Sequence, residues 1–91
     1  MGKVLFLGQA EKEQLVQEIN SQLKIKNNLL RVLFENNEHK LSRPEYRKLV
    51  NKYEEQIYLL ERARRLAEEA KSREQINQLN KLIEFYHTLD T

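Results

Sequence analysis

Only three residues in this 91-residue chain interrupt helix, Gly2, Gly8 and Pro44. Between Gly8 and Pro44, and again from Glu45 to Thr91, nothing forbids a helix, and Leu, Glu, Lys, Gln, Arg and Ala dominate both stretches. Such a chain folds by packing long helices against one another. Its size fits one domain, yet chains this short bury only about 60 to 65% of their unfolded surface, so the core is thin. A thin core favours packing against further helices, a second copy or a partner.

The helix boundaries follow from local chemistry. A first helix over 10–36 carries Glu11, Glu13 and Glu18 early and Lys24, Lys26 and Arg31 late, which complements the macrodipole. Asn36 and Asn37 favour the turn that ends it. Ser42-Arg-Pro-Glu45 is a start signal: Ser42 caps, Pro44 sits in the first turn and Glu45 completes a capping box. A second helix over 43–71 then repeats Tyr46, Leu49, Tyr53, Gln56, Leu60, Ala63, Ala67 and Ala70 by threes and fours, a coiled-coil seam. The seam turns polar at Glu74, Asn77 and Lys81, while the apolar set moves to Ile76, Leu79, Leu82, Ile83, Tyr86 and Leu89. That phase shift, beside a second capping box at Ser72-Arg-Glu-Gln75, predicts a break and a third helix over 74–89; the alternative is one continuous rod.

Each long helix carries two apolar stripes. On the first, Leu15, Ile19, Leu23, Leu30 and Leu33 form one, interrupted at Lys26, and Ile25, Leu29 and Val32 form another. On the second, Leu59 and Leu66 lie outside the seam. A two-helix hairpin hides only one stripe per helix, so the third helix, the Val4–Leu7 run or another molecule must cover the rest. The expected fold is therefore all-α, an antiparallel helical hairpin or coiled coil with a third, shorter helix. It forms a single domain, open to self-association through the uncovered stripe.

Chemistry-bearing constellations are sparse. With no cysteine there is no disulfide and no thiolate zinc site, and two glycines near the N-terminus make no phosphate-binding loop. Glu84-Phe-Tyr-His87 has the Glu-x-x-His spacing of di-iron bundles, but such a site needs a second copy of the motif and facing carboxylates, and the middle of the first helix offers only Glu18. Glu61–Arg65, Arg64–Glu68 and Glu69–Arg73 read as exposed helix pairs rather than acid–base machinery. The expectation is a non-enzyme without cofactor or metal. Lys40, Arg43, Arg47, Lys48 and Lys52 permit contact with nucleic-acid phosphates, although acids interleave with most bases and the net charge is only +2. Tyr46 and Tyr53 fall on the seam, which leaves Tyr58 for base stacking. No stretch approaches the roughly 18 apolar residues of a membrane span. Val4–Leu7 is too short for a secretory signal, and Phe6 stands where myristoylation wants Ser or Thr, so a cytoplasmic location is expected.

The run from Glu18 to Leu33, followed by a polar turn and then Lys52 to Leu66, resembles the homology-region-1 repeat of protein-kinase-N-type Rho effectors, an antiparallel coiled-coil finger. Ile19, Leu23, Lys24, Ile25, Lys26, Ile57, Leu60 and Leu66 carry the likeness, which covers about residues 12 to 68. Gln22 stands where that family has an acid and Asn28 where it has glycine. The resemblance implies a small GTPase bound outside the hairpin, and no catalysis. The segment from Phe34 to Tyr46 is also similar in style to small type III secretion co-chaperones, themselves helical hairpins. Read from the residues, Leu23-Lys-Ile-Lys26 is alternation at the border of two stripes, with basic stems lying over apolar surface. The expected function is thus a non-catalytic protein-interaction module, an adaptor, regulator or small co-chaperone. It would bind a protein or itself through Lys24, Ile25, Lys26, Leu29, Val32, Leu59 and Leu66, with nucleic-acid association as the alternative.

Overall fold

A computed structural model describes residues 8–35 and 41–90. The expected Asn36–Asn37 turn, His39, Lys40 and the Val4–Leu7 run lie outside these residues. Three helices account for nearly all of the rest: α1 (Gln9–Glu35), α2 (Arg43–Glu69) and α3 (Arg73–Asp90). They form an all-α bundle in which α2 packs against both α1 and α3 and runs antiparallel to each.

The caps explain where the helices start. Ser42 has an extended backbone, and its side chain accepts from the Glu45 N–H at 3.3 Å, with Pro44 in the first turn. At the other end of α2 the chain leaves the helix at Ala70 (φ −64°, ψ 126°), whose N–H still donates to the Leu66 carbonyl. The next helix opens with a complete capping box. Ser72 Oγ accepts from the Gln75 N–H at 3.2 Å, while Gln75 Oε1 accepts from the N–H groups of Lys71 and Ser72 at 2.8 and 3.2 Å. The break is therefore built by Ser72 and Gln75, and the continuous-rod alternative does not occur. Ser72→Ala is expected to cost about 1 kcal/mol of stability, measured by urea unfolding.

The core is one cluster drawn from all three helices: Leu15, Ile19 and Leu23 of α1, Leu59, Leu60, Ala63 and Ala67 of α2, and Leu79, Ile83 and Tyr86 of α3. Ile19, Leu60 and Leu79 are wholly buried, as is the seam amide Gln56. Ala63 and Ala67 sit at the centre, where a larger side chain would hold the flanking helices away from α2. Between α1 and α3 the link is polar: Tyr86 Oη donates to Gln22 Oε1 at 2.8 Å, and Lys26 Nζ lies 5.9 Å from the centre of the Tyr86 ring. Arg64, read from the sequence as a partner of Glu68, donates across the α1–α2 interface to Asn20 Oδ1 at 3.1 Å.

Candidate interaction surface

The surface is decided by what α3 covers. It begins directly after α2 ends, and at 18 residues against 27 it is nine shorter, about 14 Å at 1.5 Å per residue. The shortfall falls entirely at the end where α1 finishes and α2 begins. There the hairpin projects past α3.

The seven residues expected to bind a partner separate accordingly. Leu59 is only 7% exposed and belongs to the core, and Leu66 is half-buried against it. Both face a groove shared with Leu82 and Phe85 of α3, so the stripe they form is covered by this chain's own third helix. Lys26 is also corrected: at 8% exposed, its stem is buried and its ammonium lies over Tyr86. A lysine whose stem packs over apolar surface while its head meets a ring face matches the covering role read from Leu23-Lys-Ile-Lys26. Lys24 is exposed. Ile25, Leu29 and Val32 remain in the open, at 50, 41 and 52% exposure. Their spacing of four and then three puts them on one side of α1.

The geometry relates this stripe to α3. Gln22 and Lys26 mark the side of α1 that Tyr86 covers. Leu29 lies seven residues beyond Gln22 and three beyond Lys26, and Leu33 lies seven beyond Lys26. Both continue that side of α1 past Tyr86, Leu29 exposed and Leu33 buried. On α2, Leu49 is likewise seven residues before Gln56, and Lys52 seven before Leu59. Around the end of α3, a groove of about 650 Å³ is lined by Leu41, Leu49 and Leu89, with Lys48 and Lys52 among the polar residues on its α2 wall.

Two further exposed aromatics were not anticipated in this role. Phe85 is half-exposed beside Leu59, Leu66 and Leu82; it falls outside the apolar periodicity of α3, so no repeat marked it. Phe34 is equally exposed at the end of α1. Tyr58 is exposed, with the Arg62 guanidinium 5.7 Å from its ring centre and donating to its hydroxyl at 3.1 Å. Arg43, Arg47 and Lys48 gather around Pro44 and Asn51 on the outer side of α2. Glu84 and His87 are both exposed, and among the described residues no group of three or more acids or histidines is placed to hold a metal ion. No described helix is long and apolar enough to cross a membrane.

Comparison with known proteins adds no relative: no family model, curated protein or solved structure matches the chain.

Proposed function

We propose that this chain is a non-catalytic protein-interaction module whose binding face is the exposed Ile25–Leu29–Val32 stripe of α1. The observation that carries this reading is three large aliphatic side chains held in water on one side of α1, while the matching outer residues of α2 are covered. Fully burying such a side chain is worth about 1.5 to 3 kcal/mol, and each is already about half buried, so docking on the three supplies roughly 2 to 5 kcal/mol, an apolar anchor to which further contacts add. A small GTPase is the partner implied by the Rho-effector resemblance. Of the residues that carry that likeness, Lys24 and Ile25 are exposed and available for contact, whereas Ile19, Leu23, Lys26 and Leu60 are buried.

The test is an Ile25→Glu/Val32→Glu double variant. Its helicity and unfolding midpoint are expected to match the parent within error, because both positions face water. In quantitative capture from native extract, at least one protein held by the parent should be lost by the variant. Identical captured sets would overturn the reading. The exposed Arg43, Arg47 and Lys48 support nucleic-acid association as the second reading. It separates by salt, since phosphate-driven binding through three bases falls roughly 40-fold between 50 and 200 mM salt, while apolar docking barely responds.

A further inference from the structure

A groove of about 520 Å³ runs between α2 and α3, and no described residue of α1 lines it. Leu59 forms its buried floor, Leu66 and Leu82 are half-buried in it, and Phe85 stands at its edge, 51% exposed. Leu59 to Leu66 and Gln78 to Phe85 each span seven residues, so the groove is two helical turns long, about 10 Å. A trough of that length between two helices suits apolar anchors spaced by three, four and seven along another helix. Arg62 and Lys81 are the charged residues that line it, both exposed, whereas Glu55 and Glu69, a turn beyond Leu59 and Leu66, fall outside. Among the described residues neither base meets an acid. Arg62 donates to Tyr58 Oη at 3.1 Å, which holds it beside the groove with further N–H donors to spare. The lining therefore carries two uncompensated positive charges. A second copy fits it poorly, because α1 has no acid between Glu18 and Glu35 and carries Lys24, Lys26 and Arg31, so its exposed stripe would bring bases to Arg62 and Lys81. Two such grooves face to face would set Arg62 and Lys81 against their own copies, and like charges juxtaposed at an interface cost binding.

We propose that the α2–α3 groove docks an acidic amphipathic helix of a partner protein, its apolar side seated on Leu66, Leu82 and Phe85 and its carboxylates meeting Arg62 and Lys81. This is a second docking surface, separate from the α1 stripe, and it stands or falls apart from that stripe. Phe85 supplies the aromatic anchor that carries much of the binding at such interfaces, and Arg62, positioned by Tyr58, supplies a planar fork for a carboxylate.

The test uses two synthetic helical peptides with the same leucine stripe, one with glutamates and the other with glutamines on the polar side, titrated against the full chain by fluorescence anisotropy. The acidic peptide is expected to bind about fivefold more tightly at low salt, the sum of two rim charge pairs, with the ratio shrinking as salt rises. Arg62→Gln/Lys81→Gln should equalise the two peptides, and Phe85→Ala should weaken both about tenfold, with helicity unchanged because all three side chains are exposed. Ile25→Glu/Val32→Glu should bind both as the parent does. Equal affinities of the parent for the two peptides would overturn the proposal. Binding lost in Ile25→Glu/Val32→Glu and kept in Phe85→Ala would overturn it too, while upholding the α1 stripe as the docking face. Binding of neither peptide would also overturn it; a dimer that Phe85→Ala dissociates would then identify a second copy as the occupant.

Discussion

Leu59→Glu is expected to unfold the protein under conditions where Ile25→Glu leaves it intact, although the sequence places both residues on outer stripes. Leu59 is 7% exposed in a cluster with Leu60, Leu79 and Ile83, and α3 closes over it. A carboxylate there loses its water without gaining a partner, at a cost of several kcal/mol. A chain of this size holds only about 5 to 14 kcal/mol in total, at 0.05 to 0.15 kcal/mol per residue. Ile25 is half in water, and the same substitution there should move stability by about 0.5 kcal/mol or less. Urea unfolding followed by far-ultraviolet circular dichroism separates the two. A Leu59→Glu variant as stable as Ile25→Glu would mean that α3 does not cover α2.

Leu79→Ala is the second large effect. Leu79 is wholly buried at the middle of α3's apolar side, and Leu-to-Ala changes at such sites cost about 2 to 5 kcal/mol. The loss should be uneven. The packing of α3 is against α2, with Tyr86 reaching over to α1, whereas α1 and α2 share a longer interface. Amides of α3 are therefore expected to lose hydrogen-exchange protection first, with those around Ile19 and Leu60 retaining more of theirs. Uniform loss across all three helices would show that α3 is not a separable layer.

What the sequence reveals of the fold is what local chemistry fixes. Ser42 with Glu45 and Ser72 with Gln75 each place a helix start, and both caps form. The shift of apolar residues to Leu79, Ile83 and Tyr86 places the inner side of α3, and the seam from Gln56 to Ala67 is buried as its period demands. The surface was harder to read, because exposure depends on which element lies over which. Periodicity identifies Leu59 and Leu66 as a second stripe but says nothing of what covers it, and α3 does. Lys26 breaks its stripe as a polar letter, yet it is buried because Tyr86, sixty residues later, comes to lie against its stem. Ile25, Leu29 and Val32 look like Leu59 and Leu66 in the sequence; they differ because α3 lies over Leu59 and Leu66, whereas Ile25, level with Tyr86, and Leu29 and Val32 beyond it face water.

The account turns on that difference in cover, and covalent footprinting of side chains at low micromolar protein, read by mass spectrometry, measures it directly. Ile25, Leu29 and Val32 are predicted to be labelled in the folded protein, slowed from the unfolded chain only in proportion to their half exposure, while Leu59 and Leu79 stay protected until the protein unfolds. Protection of the α1 stripe in the isolated protein, or labelling of Leu59 at a rate equal to that of Ile25, would contradict it.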